Sequence, residues 1–171
     1  MAIEDADTTV VGEVEGRKII TFRIAGRMFG IDMAAVSEIR EWEEPTPLPG
    51  VADFIKGVIN LRGSVIPVVG LAERLGWPAS IPEARSCTIV VAIDGKQMGM
   101  LVDDVSDIVT VLDSSVQPTP EFDGGQGTFI GGVTTIEQAP IAGVEQTDGG
   151  GTMVLLLKLE TLSLTRKAID L

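Results

Sequence analysis

The sequence predicts a mostly-β protein made of two related halves that form two small barrels. Three observations predict it: an ordered set of sequence blocks occurs twice, apolar residues alternate at period two, and glycines punctuate the chain at hairpin spacing. Short strands separated by such turns fit barrels better than a sandwich.

The repeat comes first. Ile24-Ala25-Gly26-Arg27-Met28-Phe29-Gly30-Ile31-Asp32 through Val36-Ser37-Glu38-Ile39 aligns with Ile93-Asp94-Gly95-Lys96-Gln97-Met98-Gly99-Met100-Leu101 through Val105-Ser106-Asp107-Ile108, each pair 69 positions apart. Pro45-Thr46-Pro47 echoes Pro118-Thr119-Pro120, and Phe54–Val58 echoes Phe129–Val133. Gly63–Val69 echoes Gly151–Leu157. Four blocks in one order, with spacing that only grows, mark a duplication with loop insertions in the second copy.

Within the blocks, Ile20, Phe22 and Ile24 alternate with Thr21 and Arg23, the pattern of a half-buried strand. Asp94-Gly95 between apolar runs is a hairpin signal, because both turn positions need positive φ. Arg62-Gly63 tips a second hairpin between Val58-Ile59 and Val65-Ile66. Pro67 cannot donate to a ladder, so it marks an edge or a bulge. Short helical turns are expected at Ala34–Ser37 and Leu71–Leu75. The expected boundaries are a flexible acidic tail over 1–16, a first half over about 17–75, a connector over 76–86, a second half over about 87–165 and a tail over 166–171. Residues 123–127 and 143–151 read as glycine-rich loops; they lack the lysine and strand-to-helix context of a phosphate loop. Whether the first strand of each half completes its own barrel or its neighbour's is open at this stage.

Composition then excludes function classes. The 171 residues carry 13 basic and 25 acidic side chains, a formal charge of −12, which repels phosphate backbones and anionic lipid headgroups. No nucleic-acid partner and no direct membrane insertion are expected. Five Phe, two Trp and no Tyr leave few stacking platforms. The acidic start Met1–Asp7 lacks the basic and apolar segments of a signal peptide, and no apolar run nears the roughly 20 residues of a membrane span. One cysteine, Cys87, excludes an internal disulfide and reads as a small buried hydrophobe in a cytoplasmic protein.

Catalysis has little to stand on. The absence of histidine removes Ser-His and Cys-His pairs and histidine metal sites, so no cofactor is expected. Asp103-Asp104 and the group Glu41, Glu43 and Glu44 lack calcium-loop spacing, and adjacent carboxylates on a strand point apart. Binding residues are better candidates. Arg62 at a hairpin tip is displayed, either as an anchor or as a solvated turn residue. Glu38, in the apolar frame of Val36 and Ile39, needs a partner if partly buried, and Arg62 would supply one. Phe122, beyond the stiff Pro118-Thr119-Pro120 segment, either presents its ring outward or caps a barrel end. The pattern is that of a non-catalytic adapter.

These residues resemble the CheW family of bacterial chemotaxis coupling proteins. Phe29–Asp32 through Val36–Arg40 resembles its first signature and Phe54–Gly63 its most specific one; Val102–Asp107 and Thr119–Phe122 resemble two more, so the likeness spans about residues 17–165. It implies two five-stranded SH3-like barrels around a shared core. It also implies a bridge between the cytoplasmic tips of chemoreceptors and the regulatory domain of the histidine kinase CheA. The receptor groove would include Met33, Val36, Glu38, Arg62, Met98 and Val105, and the kinase contact Glu121 and Phe122. Gly70 departs from the aspartate frequent before the first short helix, and Gln117 stands where some members carry a basic residue. A related scaffold of a non-chemotactic pathway is the alternative within this class; an enzyme built on the acidic clusters is the rival outside it.

Overall fold

The computed structural model describes residues 16–79, 81–119, 129–136 and 151–162. Ten strands run through them: β1 (Gly16–Ile24), β2 (Arg27–Asp32), β3 (Val36–Glu41), β4 (Ile55–Leu61), β5 (Ser64–Gly70), β6 (Cys87–Ile93), β7 (Lys96–Val102), β8 (Asp104–Leu112), β9 (Ile130–Ile136) and β10 (Thr152–Leu157). One short helix, α1 (Leu71–Arg74), and 3-10 turns at Met33–Ala35, Asp113–Ser115 and Leu159–Leu162 connect them.

The strands form two five-stranded sheets, each an SH3-like barrel. Barrel one has the order β8-β1-β2-β10-β9 and barrel two the order β3-β6-β7-β5-β4. The two halves of the sequence therefore exchange hairpins. The β1–β2 hairpin of the first half completes the barrel made by β8, β9 and β10, and the β6–β7 hairpin of the second half completes the barrel of β3, β4 and β5. Each ring is drawn closed by a bridge outside the named strands. Thr46 and Val58 exchange N–H···O bonds of 2.9 Å in barrel two, and Gln117 and Val133 exchange bonds of 2.8 Å in barrel one. Val58 and Val133 are repeat partners, so Gln117, not Thr119, takes the place of Thr46. The proline echo seen in the sequence is two residues out of structural register.

The tight turns follow from backbone sterics. Ala25-Gly26, Arg62-Gly63 and Asp94-Gly95 all have positive φ at both positions, the two-residue turn whose twist matches its flanking strands. Pro67 sits within β5, an interior strand of barrel two, rather than on an edge. It is tolerated because Val58 opposite turns its own N–H and C=O to Thr46, leaving Val58 and Pro67 a non-hydrogen-bonded pair, and because the ladder to β7 on the other side begins only at Val68–Gly99. The first helical turn falls at Met33–Ala35 rather than 34–37: the Asp32 carboxylate accepts the Ala34 N–H at 2.9 Å, and Val36 already begins β3.

A shared core lies between the barrels. Ile20, Phe22, Ile24, Phe29 and Ile31 from barrel one meet Val69, Ile89, Val91, Met98 and Met100 from barrel two. The Phe22 and Phe29 rings stack with centroids 6.2 Å apart. Each barrel also keeps an interior of its own: Ile19, Met28, Val111, Val154 and Leu156 in one, Ile59, Leu61, Ile66, Val68 and Val90 in the other. Strands β1 and β6 are consequently buried on both faces, which corrects the half-buried reading of β1. Thr21 is fully buried, and its hydroxyl bonds both the N–H and the C=O of Asp107. Across the barrel boundary, the Arg74 guanidinium lies 4.8 Å from the Phe54 ring and 4.6 Å from the Phe129 ring and donates to the Thr161 carbonyl. Phe54 and Phe129 are themselves repeat partners, so one cation ties the two copies together.

Candidate functional site

The site is built by a β-bulge. Along β3, Val36 pairs with Val91 but Glu38 pairs with Val90, leaving Ser37 as an extra residue. Val91 faces the shared core and Val90 the interior of barrel two, so the bulge sends Val36 and Glu38 to opposite faces. Without it, residues two apart would share a face. Trp42 continues the Glu38 side, packed on the interior cluster of barrel two.

Glu38 then meets two cations. Arg62 Nη2 donates to Glu38 Oε1, and Arg40 Nη1 donates to Oε2 at 3.1 Å. Arg40 Nη2 reaches Glu43 Oε1 at 3.2 Å, completing a chain of alternating charge. The Arg62 hydrogen bond, followed by that of Arg40, holds the Glu38 carboxyl below the usual carboxylate range; the same contacts raise Arg40 above its ordinary value, the Glu38 bond contributing most. The Glu38 side chain is 19% exposed and Arg62 73%, so a sheltered carboxylate holds a displayed guanidinium. Arg62 itself is fixed by its turn: φ is +52°, and the following Gly63 N–H bonds Asn60 Oδ1 at 2.9 Å.

The other sequence candidates fall elsewhere. Met33, Val36 and Val105 are partly buried and pack on the shared core. Met98 lies inside that core, only 4% exposed, and so backs the surface instead of forming a wall. It pairs with Val91, which pairs with Val36, a row across three strands. Six candidates thus divide into an apolar group on the shared-core side and an ionic group at the end of barrel two, joined by the bulge. Glu121 and Phe122 lie outside the described residues, as do both glycine-rich loops apart from Gly151. Arg40 escaped the sequence reading, and Glu43 entered it only as a member of an acidic cluster; the signal was opposite charges at Glu38 and Arg40, two apart on a strand and hence on one face.

The Asp103-Asp104 pair serves the frame. Asp103 Oδ2 accepts the Ala25 N–H at 2.9 Å, and Asp104 Oδ2 takes Arg23 at 3.1 Å and Arg85 at 3.5 Å. Among the described residues no three Cys, Asp or Glu converge as a metal site. Cys87 is a free thiol, partly rather than fully buried, and burial pushes its pKa up, which disfavours the thiolate. Gly70 caps α1 without a side-chain bond; the Glu73 carboxylate, paired with Lys56 at 2.9 Å, occupies the space a Cβ would need. No helix among the described residues is long and apolar enough to cross a membrane.

A duplicated pair of interlocked barrels, with a displayed ion pair and with Asp103 and Asp104 engaged in holding the β1–β2 hairpin, is the anatomy of a scaffold module. The CheW-like domain model matches residues 18–166. The chain is 43% identical over 131 residues to the chemotaxis protein CheW of Rhizobium meliloti, covering 76% of this chain and 84% of that one. It is 38% identical over 106 residues to the chemotaxis protein CheW of Bacillus subtilis, covering 62% and 68%. Among solved structures, the scaffolding protein TtCheW from Thermoanaerobacter tengcongensis superposes with a TM-score of 0.74 at 29% identity, over 90% of this chain and 97% of that one. The chain belongs to the CheW family and is a non-catalytic scaffold protein of chemotaxis signalling.

Proposed function

We propose that the protein couples the cytoplasmic tips of chemoreceptors to the regulatory domain of the histidine kinase CheA, in the cytoplasm beneath receptor arrays. The observation that carries this reading is the Glu38–Arg62 pair. A pair whose guanidinium lies this open to solvent adds little to stability, so its use lies in presenting that guanidinium in a fixed direction. Beside it along β3, Val36 with Met33 and Val105 offers partly covered apolar surface, and Met98 stiffens it from behind. An apolar strip with a few orienting charges is what an amphipathic helix requires. The kinase contact is assigned to Glu121 and Phe122 on the resemblance of their segment.

Arg62→Ala is the test. Affinity for a receptor-tip fragment should fall severalfold, while melting temperature and binding to the kinase regulatory domain stay near wild type. Unchanged receptor affinity would remove Arg62 from the receptor site. The alternative of a related non-chemotactic scaffold rests on a likeness to protein PilI of Pseudomonas aeruginosa, 32% identical over 120 residues. The higher identity to the chemotaxis proteins favours the first reading, and the kinase recovered from native cells decides between them.

A further inference from the structure

Arg62 meets Glu38 through one Nη only, although a carboxylate ordinarily takes an arginine with two parallel bonds. The second oxygen of Glu38 is already taken by Arg40 at 3.1 Å. Arg40 is held in turn by Glu43 at 3.2 Å, and its Nε is buried with no hydrogen-bond partner among the described residues. The Arg40 side chain therefore has one engaged arm on each side and little freedom to leave. In barrel one the repeat partners of Glu38 and Arg40 are Asp107 and Val109. There Asp107 Oδ1 accepts the N–H of the next residue, Ile108, at 2.8 Å, and no cation stands at position 109. Among the described residues the arrangement is built once, in barrel two.

We infer that Arg40 is a positioning residue for Arg62: by occupying one oxygen of Glu38 it prevents two-point capture of Arg62 and leaves the remaining guanidinium edge turned outward for a carboxylate on a docking helix. This rests on the receptor-coupling reading. Guanidinium donors form a rigid fork, so an edge freed from its internal partner matches an external carboxylate in both direction and spacing. Remove Arg40, and Glu38 closes on Arg62 with both oxygens, folding the cation back onto the barrel.

Two measurements test it on the full-length protein. The first compares Arg40→Ala, Arg40→Lys, Arg62→Ala and the Arg40→Ala/Arg62→Ala double variant for affinity to a receptor-tip fragment. Arg40→Ala should weaken binding about threefold to tenfold, and it should add nothing once Arg62 is gone, the signature of residues that act as one. Arg40→Lys, which can still hold one oxygen of Glu38, should restore most of the loss. A loss from Arg40→Ala that persists at full size in the Arg62→Ala background would overturn the inference, as would no loss at all. The second measurement needs no partner: the side-chain Nε–H resonance of Arg62 by nitrogen-15 NMR in the free protein. Arg40→Ala should shift it and slow guanidinium rotation as a second bond to Glu38 forms. An unmoved resonance overturns the positioning role whatever the receptor does. If the resonance moves while Arg62→Ala leaves receptor affinity intact, the receptor reading fails and the positioning geometry stands.

Discussion

The two barrels share a frame down to its irregularities and differ in what hangs on it. Ser37 and Ser106 are the extra residues of equivalent bulges, and Lys56 and Gly131 of a second equivalent pair. The turns at Ala25-Gly26 and Asp94-Gly95 have nearly the same φ values. Among the exposed large apolar side chains, Ile39 and Ile108 are repeat partners, as are Val65 and Met153, whereas Ile81 and Leu112 have no such counterpart. Against this sameness stand Glu38 and Arg40 in one barrel, Asp107 and Val109 in the other, and the bridging Arg74 where the second copy has the buried Leu162. Backbone features that close a barrel are common to both copies. The chain of Arg62, Glu38, Arg40 and Glu43 belongs to one.

If that division is right, changes at equivalent frame positions should differ only where the backbone itself is pressed. Gly57 and Gly132 are repeat partners beside the two closing bridges. At Gly57, φ is +143° and a Cβ would strike the Thr46 carbonyl backbone; at Gly132 it would meet the Val116 side chain at 2.6 Å, which can rotate away, and the Gln117 carbonyl oxygen only at 3.2 Å. Gly57→Ala should cost about 2–4 kcal/mol, a fall in melting temperature of about 5–15 °C. Gly132→Ala should cost about 1 kcal/mol, the price of one displaced rotamer. Equal losses in the two variants would break the comparison at its strongest point.

The hairpin turns give a smaller, opposite effect. Ala25 holds φ at +54° with no side-chain compensation, whereas Asp94 belongs to a residue type that tolerates this region. Ala25→Gly should therefore stabilise by roughly 0.5 kcal/mol and Asp94→Gly by about nothing, after the added unfolded-state entropy of glycine is counted. Denaturant midpoints of the two variants, measured side by side, decide this.

The finest distinction is in proton binding. Because the folded-state pKa of Glu38 is depressed, its contribution is present above the unfolded value, near 4.3, and is lost as pH falls through the lower folded value. Carbon-13 NMR should find the Glu38 carboxyl titrating below that range and moving back toward it in both Arg62→Ala and Arg40→Ala. A Glu38 carboxyl indifferent to both changes would mean that the ion chain does not persist in solution.

Much of this frame was legible in the sequence because a duplication prints every constraint twice. The Val-Ser-acid-Ile motif, the hairpin glycines and the two-barrel class could all be found by laying one copy on the other. The Glu38–Arg62 pair followed from a carboxylate in an apolar context. What the bulge does was not legible: one inserted residue reverses every side chain beyond it, and sequence alone does not say which residue is extra. The opposite faces of Val36 and Glu38 were hidden for that reason, since they depend on where Ser37 sits. Thr21 looked like a solvent-facing position because a strand buried on both sides can still alternate in polarity when a hydroxyl finds backbone partners. The exchange of hairpins was invisible, since a strand pairs equally well by local pattern with its own copy or with the other.

That exchange has a consequence for how the molecule can be taken apart. A cut in the 76–86 connector would not release two independent barrels; each fragment would carry three strands of one ring and two of the other. Fragments of this kind regain a closed sheet only by meeting their complement, so reassembly, not separate folding, is what a split chain would display. The same geometry holds for a chain of half the length: alone it cannot close a ring, and two copies trading hairpins close both.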